Sequence, residues 1–337
     1  ALGMARTPVF WRKRGLAALG LLPLAALFGL VVGVRRWLYR RGMLASVQVG
    51  VPVVVVGNLV AGGGGKTPLI VALVAALQQR GFRPGVVSRG YGGGAGGALE
   101  VLPDSAAAVV GDEPLLIRRK TGAPVAVGRD RVAAARCLLA SHPGIDLILA
   151  DDGLQHYRLV RALELCVVAA GQGLGNGWLL PAGPLREPRS RLASVDAVLR
   201  AGEASVAGSA RQWGMRRRLG QAWRLRAPDE RAELVALPRV RWLAACGIAR
   251  PEDYFVALAE AGLAFERRAF PDHHAFAATD LPGDGAVLMT EKDAVKCLHF
   301  AGPDWWAVEL VADPEPAFVD WLAGRLGHSL LRRPGDV

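Results

Sequence analysis

Cysteine and histidine are scarce in this chain of 337 residues, and those present form no metal-binding pattern. The four cysteines, Cys137, Cys166, Cys246 and Cys297, lie far apart in apolar segments and include no CxxC pair. We therefore expect reduced core cysteines, as in a reducing compartment. The six histidines show no HExxH or zinc-like spacing, so a structural metal site is not expected.

Signatures of nucleic-acid recognition are also missing, because the chain has no zinc-finger, helix-turn-helix or RNP-type pattern. The net charge is nevertheless +11, and 52% of the residues are hydrophobic. A basic surface predicts an anionic partner. With nucleic acid not expected, the candidates are an anionic membrane and a phosphorylated substrate. No obligate protein partner is evident from the sequence.

An uncharged stretch runs from Leu16 to Val34, with basic residues on both sides. A helix of this length spans roughly 28 Å, about the thickness of a bilayer's hydrocarbon core. Met4 is expected to be the natural start after a short expression scar. Residues 4–42 are predicted to form a membrane-associating helix, either transmembrane or interfacial, and a helix packed on its own domain is the alternative.

Between residues 43 and 200, short apolar segments typical of buried strands alternate with helical periods, such as that over residues 131–141. This alternation predicts an α/β fold with a P-loop NTPase-like parallel sheet covered by helices. The pattern changes in residues 201–240, which we interpret as an extended crossing between domains. Residues 241–328 are predicted to form a second, smaller α/β domain that ends in a helix over residues 315–326.

The stretch VPVVVVGNLVAGGGGKTP, residues 51–68, has the strand, loop and helix order of a phosphate-binding loop. Glycine amides can surround phosphate oxygens, a lysine reaches the outer phosphates, and a threonine hydroxyl can bind Mg²⁺. The motif is a variant, because Val60 stands where the strict pattern has glycine. The predicted nucleotide-binding residues are Gly62, Gly63, Gly64, Gly65, Lys66, Thr67 and Pro68.

Two adjacent carboxylates, Asp151 and Asp152, follow a predicted buried strand directly. In P-loop enzymes an acidic residue at the end of a neighbouring strand holds Mg²⁺. Adjacent carboxylates are costly unless a cation joins them, so Asp151 is a candidate metal ligand. Gln155 and His156 come next and could donate to phosphate or substrate hydroxyls. A solvated Asp-Asp turn is the structural alternative.

Three further candidates each have a structural alternative. Arg186 and Glu187 lie in a basic, proline-rich loop, where they could bind phosphate and Mg²⁺ or form local ion pairs. Asp112 precedes a predicted helix and is either its N-cap or a base that accepts a hydroxyl proton. His273 and His274 follow an aspartate that could tune a histidine for proton transfer, and solvent exposure is the alternative.

Eight motifs, taken in order from Val51 to Lys296, resemble those of the tetraacyldisaccharide 4'-kinase family: GNLVAGGGGKTP, SRGYGG, GDEP, VGRDR, DDGLQH, GNGWLLPAGPLREP, PDHH and TEKDAVK. The resemblance implies ATP-dependent phosphorylation of the 4'-hydroxyl of a tetraacylated glucosamine disaccharide 1-phosphate in lipid A biosynthesis. It also implies ATP and Mg²⁺ as cofactors, and a location at the cytoplasmic face of the bacterial inner membrane. Two α/β domains joined by a β-ribbon hinge are the implied architecture.

By motif position, the resemblance implies that Asp112 and His273 form the acid/base pair that deprotonates the sugar hydroxyl, with His273 preferred to His274. Thr67 and Asp151 would hold Mg²⁺. The other implied roles are catalysis for Asp152, a metal contact for Glu187, and the substrate cleft for Tyr91, Gln155, His156 and Arg186.

Two other functions are compatible with a P-loop in this setting. A soluble P-loop kinase could act on a small metabolite, or a nucleotide-driven membrane switch could move a partner protein. The switch needs no acid/base pair. Guanine specificity is not supported, because Lys292 and Asp293 lack the N-K-x-D spacing.

Overall fold

The computed structural model describes residues 8–62, 65–90, 97–171, 173–202, 206, 208 and 211–331. Within these residues thirteen strands form one sheet. The strands are β1 Val53–Gly57, β2 Pro84–Ser88, β3 Leu99–Val101, β4 Val125–Val127, β5 Leu147–Asp151, β6 Leu163–Val168, β7 Ala197–Arg200, β8 Arg211–Arg224, β9 Ala227–Ala232, β10 Trp242–Cys246, β11 Phe265–Ala269, β12 Val287–Thr290 and β13 Trp305–Pro314. The α-helices are α1 Leu16–Gly20, α2 Leu22–Arg40, α3 Lys66–Gln79, α4 Ala107–Val110, α5 Asp112–Thr121, α6 Arg131–Ser141, α7 Pro251–Glu260, α8 Glu291–Cys297 and α9 Pro316–Leu331.

The first part of the sheet has the strand order β3-β4-β2-β5-β1-β6-β7, and every neighbouring pair is parallel except β3-β4. Strands β1, β2 and β5 are buried along their whole length. Parallel strands are apolar on both faces because helices cover both. Helices α3, α5 and α9 pack on one face and α6 on the other. The predicted fold class, a parallel sheet covered by helices, is confirmed.

The long strand β8 joins the two parts of the sheet. Residues 211–214 pair in parallel with β7, and residues 215–224 pair antiparallel with β13. Beyond β13 the order is β12-β10-β11, all parallel. Helices α7 and α8 pack on opposite faces of this smaller part. The segment predicted as an extended crossing, residues 201–240, therefore contains β8 and β9.

The C-terminal helix packs differently from the prediction that placed it in the second domain. Phe318, Val319, Leu322 and Leu326 of α9 are buried in the same apolar cluster as Leu73 and Leu77 of α3. The second domain was predicted to extend to residue 328 and to include this helix. That part of the prediction is wrong, because the apolar face of α9 packs on the first part of the sheet. Helical periodicity identifies the buried face of a helix but not the surface that covers it.

Replacing Phe318 with alanine is expected to lower the free energy of unfolding by about 3–5 kcal/mol, the usual cost of truncating a fully buried phenylalanine. Denaturant titration followed by circular dichroism measures the change. Val256→Ala is the control, because Val256 is exposed on α7 and should cost little. Equal midpoints for the two variants would contradict the packing of α9 on the first domain.

Helix α2 leaves most of its apolar surface exposed. Of the described helices, it alone is long and apolar enough to cross a membrane, and only 6% of its most apolar window is buried. Arg36 donates to Ser194 Oγ at 2.8 Å, and the Tyr39 ring contacts the Tyr157 ring in a tilted arrangement with centroids 5.8 Å apart. The helix thus contacts the first domain along one side. The exposed apolar residues are Leu24, Leu27, Leu30, Val31, Val34 and Trp37.

Candidate active site

The glycine-rich loop leaves the end of β1 in the centre of the first sheet. A Cβ atom at Gly57 would lie 2.7 Å from Leu154 Cγ, so only glycine fits where the chain turns. Gly62 and Gly65 have φ values of +104° and +72°, a region that glycine adopts without strain. The predicted nucleotide-binding residues Gly63 and Gly64 lie outside the described residues.

Val60, the departure from the strict motif, is a packing residue. Its side chain is buried, and its backbone forms a bridge to Leu185. Two flanking hydrogen bonds, from Arg186 N to Leu59 O at 2.7 Å and from Ala61 N to Pro184 O at 2.8 Å, extend this contact. Residues 59–61 of the glycine-rich loop are therefore held against the proline-rich loop. This contact places Arg186 close to the glycine-rich loop.

Lys66 begins helix α3 and points to Asp152. The distance from its Nζ to Asp152 Oδ1 is 3.2 Å, and Lys66 is buried. Arg186 Nη1 donates to both Asp152 oxygens, at 3.0 and 2.9 Å. Burial raises the pKa of Asp152, but the charges of Lys66 and Arg186 outweigh it and lower the pKa to about 2. Asp152 is thus ionised, and it positions both cations.

Asp151 ends β5 beside β1, where it is paired with Val56, and is fully buried. Ser88 Oγ donates to its Oδ2 at 3.0 Å, while its Oδ1 is buried with no hydrogen-bond partner among the described residues. Burial and the charge of Glu113 raise its pKa to about 7. A carboxylate oxygen left without a partner beside other carboxylates fits a divalent cation. Thr67 lies half-buried in the first turn of α3.

A second cluster joins residues from both parts of the sheet. His273 Nδ1 lies 3.2 and 3.0 Å from the two carboxylate oxygens of Asp112, although the residues are 161 positions apart. Helix α5 begins at Asp112 with Gly111 as the N-cap, so the structural alternative for Asp112, an N-cap, does not apply. Its carboxylate accepts a hydrogen bond from the neighbouring amide, Glu113 N, at 2.9 Å, and also contacts His273 and two lysines.

The charges around the pair keep Asp112 ionised. Burial raises its pKa, but the hydrogen bond with His273 and the charges of Lys292 and Lys296 outweigh burial, and the net pKa lies below the ordinary value. For His273, burial lowers the pKa, and the hydrogen bond and charge of Asp112 more than offset it, with a net increase. A histidine held by a carboxylate is suited to proton transfer.

Lys292 and Lys296 extend from α8 to this pair. Lys292 Nζ lies 3.3 Å from His273 Nε2, 3.3 Å from Asp272 and 3.1 Å from Glu113. An ammonium only donates, so its contact with Nε2 suits the neutral ring with the proton on Nδ1. Neither lysine was given a role in the prediction. Their spacing of four residues, which places both on one helix face, is a signal that could have identified them.

Two non-glycine residues of the described chain have positive φ, Asp152 at +49° and His273 at +58°. Residues in this conformation are uncommon, and they cluster at functional sites. Asp152 belongs to the cluster around Lys66, and His273 to the cluster around Asp112. Glu113 connects the two, because it pairs with Lys292 and its charge acts on Asp151. Glu113 therefore links the two clusters, which hold residues from both parts of the sheet.

A metal ion in the second cluster is not favoured. Asp112, Glu113 and His273 each offer one ligand atom, and these atoms lie within 4.8 Å of one another. Lys292 Nζ, however, already lies 3.1 Å from Glu113 and 4.0 Å from Asp112. An ammonium in contact with both carboxylates occupies the position that a cation would take. Asp151, with its unpartnered oxygen, is the better cation ligand.

Several predicted cleft residues have other contacts. Glu187 is fully buried; it accepts hydrogen bonds from the Tyr157 hydroxyl and from Gln155 Nε2 at 3.3 Å, and it forms an ion pair with Arg191 Nε at 3.5 Å. The predicted metal contact of Glu187 is corrected accordingly, because its carboxylate is already held by these three side chains. Gln155 also donates to Asn58 O at 3.4 Å, so its side chain contacts the start of the glycine-rich loop.

The His156 ring lies beside Asp130. Its Nε2 lies 3.7 Å from Asp130, and no contact with Lys66 or Asp152 occurs among the described residues. Burial and the charge of Arg131 lower its pKa to about 4, so the ring is neutral near pH 7. No contact among the described residues supports the predicted hydrogen bond from His156 to phosphate or substrate. Tyr91, also predicted in the cleft, lies outside the described residues.

A basic cavity of about 820 Å³ opens beside the carboxyl ends of β6 and β7. Ligands of parallel α/β sheets bind at this edge. Trp11 Nε1 donates to Pro181 O at 2.9 Å, and Asn176 Nδ2 donates to Phe10 O at 3.2 Å, so the segment before α1 forms part of the wall. Arginines that line the cavity are Arg12, Arg14, Arg189 and Arg200.

Comparison with known proteins gives one family. The family model described as tetraacyldisaccharide-1-P 4'-kinase (LpxK) matches residues 17–327. The chain is 58% identical to the tetraacyldisaccharide 4'-kinase of Thiobacillus denitrificans over 328 residues, which cover 96% of this chain and 100% of the relative. It is 49% identical to that of an Azoarcus species, with 96% of each chain covered.

A solved structure has the same architecture. The crystal structure of LpxK from Aquifex aeolicus in complex with ATP superposes with a TM-score of 0.80 at 25% sequence identity. The match covers 94% of this chain and 99% of that chain. The similarity therefore extends over both parts of the sheet and is not confined to the glycine-rich loop.

Proposed function

The chain belongs to the tetraacyldisaccharide-1-P 4'-kinase family, and from this premise we propose how its site performs the reaction. The protein is a kinase that transfers the γ-phosphoryl group of ATP to the 4'-hydroxyl of a tetraacylated glucosamine disaccharide 1-phosphate, a step of lipid A biosynthesis. The observation that supports the mechanism is the contact of Asp112 with His273 across the two parts of the sheet, together with Glu113, which pairs with Lys292 and whose charge acts on Asp151.

The donor half of the site binds ATP. Lys66 and the amides at the start of α3 would face the phosphates, since a helix N-terminus and a P-loop lysine both attract anions. Arg186 would add a second cation near the transferred group. Asp152 holds both side chains until the nucleotide enters. Phosphoryl transfer depends mainly on such positioning and charge stabilisation.

Asp151 and Thr67 are the proposed Mg²⁺ ligands. The unpartnered Oδ1 of Asp151 and its raised pKa support this assignment, because a bound cation would favour the ionised carboxylate. When bound, the ion would neutralise charge on the phosphate oxygens. Ser88 keeps the Asp151 carboxylate in its orientation.

The acceptor half of the site would remove the proton of the sugar hydroxyl. The hydroxyl oxygen attacks the γ-phosphorus, the bond to the ADP oxygen breaks, and the hydroxyl proton passes to the Asp112–His273 pair. Lys292 and Lys296 keep Asp112 ionised and therefore able to accept a hydrogen bond from the hydroxyl. General-base assistance of this kind contributes typically 10²–10⁴-fold.

The pH dependence of kcat should show an acid limb that belongs to this pair. The pKa of His273 is raised above its ordinary value of 6.5, so the protonated ring persists to higher pH. A protonated pair cannot accept the hydroxyl proton; kcat is therefore expected to fall as the pH drops through that raised pKa. Steady-state rates at saturating substrates measure the limb. If the acid limb of the His273→Gln variant lay at the same pH as that of the wild type, the assignment of the limb to His273 would be contradicted.

Membrane association at the cytoplasmic face of the inner membrane is also proposed. The exposed apolar face of α2 and the arginines beside it suit the headgroup region of an anionic bilayer. The basic cavity beside β6 and β7 would face an anionic lipid substrate. ATP is available on the cytoplasmic side, where the substrate must then be presented.

One assay separates the kinase from the two alternatives. The purified protein is incubated in detergent with γ-³²P-ATP and the acylated disaccharide 1-phosphate, and the lipid is separated by chromatography. Labelled lipid is the expected result. ATP hydrolysis without labelled lipid would indicate a membrane switch, and transfer only to a small soluble sugar would indicate a metabolite kinase; either would overturn the proposal.

A further inference from the structure

Arg217 occupies the point where strand β8 changes partners. Residues 211–214 pair with β7 of the first domain, and Arg217 pairs with Ala312 of β13 in the second part of the sheet. Its backbone therefore belongs to the ribbon that joins the two domains. The contacts of a side chain at this position can therefore depend on how the two domains are placed relative to each other.

The guanidinium of Arg217 lies against the glycine-rich loop. A Cβ atom built on Gly65 would be 2.7 Å from Nη1 and 3.3 Å from Cδ of Arg217. Gly65 is the N-cap of α3 and immediately precedes Lys66. The arginine thus lies beside the backbone that precedes the phosphate-binding lysine.

Within the described part of the chain, no carboxylate lies within ion-pair distance of Arg217 and no side-chain hydrogen bond is formed by it. Burial lowers the pKa of Arg217; the opposite charge of Asp253 raises it, and the like charge of Arg250 lowers it further. The next arginine along the strand differs, because Arg218 is exposed and pairs with Asp313 at 2.9 Å. A half-buried guanidinium with no carboxylate partner among these residues is available to bind an anionic ligand.

We propose that Arg217 binds the phosphate chain of the nucleotide beyond the α-phosphate, so that the inter-domain ribbon supplies a cation to the P-loop. This inference rests on the proposed function and adds a residue to its donor half. Arginine is the suitable side chain, because its planar fork can bind two phosphate oxygens at once. Phosphate binding then depends on the position of the ribbon as well as on the loop.

A contact of this kind has a distinct signature in nucleotide affinity. Hydrogen bonds to charged groups are worth enough that removing the guanidinium should weaken ATP binding roughly 10-fold to 100-fold. AMP, which lacks the β- and γ-phosphates, should lose little affinity. The ratio of AMP to ATP dissociation constants is therefore the quantity that Arg217 controls, whereas a purely structural residue would change both affinities alike.

The experiment compares Arg217→Ala and Arg217→Gln with the control Arg218→Ala, using isothermal titration of ATP and AMP into the full-length protein. Both Arg217 variants are expected to lose discrimination between the nucleotides, and the control to keep it. If the alanine variant is unstable without nucleotide, the glutamine variant decides, since it keeps most of the side-chain volume. Discrimination equal to that of the control in a folded Arg217 variant would overturn the inference.

Label transfer to lipid distinguishes this result from a failure of the proposed function. If the wild type labels the lipid and the Arg217 variants retain nucleotide discrimination, the inference alone is wrong. If the wild type transfers no label to a competent acceptor, the kinase assignment fails first, and nucleotide discrimination then reports on a different P-loop activity.

Discussion

Asp112→Asn is expected to lower kcat by about 10²–10⁴-fold, because the substitution removes the carboxylate that we propose receives the hydroxyl proton. Asparagine keeps the size of the side chain, and its oxygen can still accept the Glu113 amide hydrogen bond seen at 2.9 Å. The affinity for ATP should change little, since Lys66 and Arg186 form the donor half of the site. Steady-state label transfer and ATP titration measure the two quantities separately.

Asp104→Asn is the matched control for this variant. Asp104 is exposed in the loop before α4 and, among the described residues, has no contact with His273. Its replacement should leave kcat unchanged. If Asp112→Asn turned over as fast as the control, the carboxylate would not be the base. The contacts of Asp112 with Lys292 and Lys296 would then be purely structural.

Lys66→Ala is expected to lower kcat by about 10²–10³-fold, the usual effect of removing one preorganised group that stabilises transition-state charge. The variant should also weaken ATP binding, because in the proposed mechanism the buried ammonium faces the outer phosphates. Asp152 loses one of its two cations in this variant and keeps Arg186. Label transfer at saturating ATP separates the catalytic loss from the binding loss.

Gln79→Ala, at the exposed end of the same helix, is the control for Lys66→Ala. It should retain both kcat and ATP affinity. Comparable turnover of Lys66→Ala and this control would exclude Lys66 from the transfer step. A loss of ATP affinity with kcat intact would restrict Lys66 to binding.

Local sequence was sufficient to predict the donor half of the site. The β-branched run before Gly57 and the glycines before Lys66 specify a strand, a loop and a helix without reference to the rest of the chain. The strand that ends at Asp151 was predicted from its apolar run, and β1 pairs with it directly. The boundaries of α6 also coincide with the predicted ones.

The acceptor half depends on contacts that no local pattern encodes. Asp112 and His273 are 161 positions apart, and only the family resemblance suggested that they act together. Lys292 and Lys296 were missed, because a charged pair on a short helix is usually solvated. Here helix α8 turns both lysines towards Asp112.

Two errors have a common physical origin. Glu187 was predicted to reach a metal ion, yet Tyr157 and Arg191 hold its buried carboxylate. Helix α9 was predicted to pack on the second domain, yet its apolar residues enter the core of the first. Sequence periodicity and residue type indicate what a side chain can do, whereas the partner that it meets is decided by the tertiary fold.

The central claim is that catalysis depends on one acid/base pair assembled from both domains. A double-mutant cycle on kcat tests it most directly, with Asp112→Asn, His273→Gln and the combined variant measured in the label-transfer assay. Residues that act as a unit are strongly non-additive. The account predicts that the double variant is no slower than the slower single variant. Losses that multiply fully in the double variant would contradict it, because the two residues would then act independently.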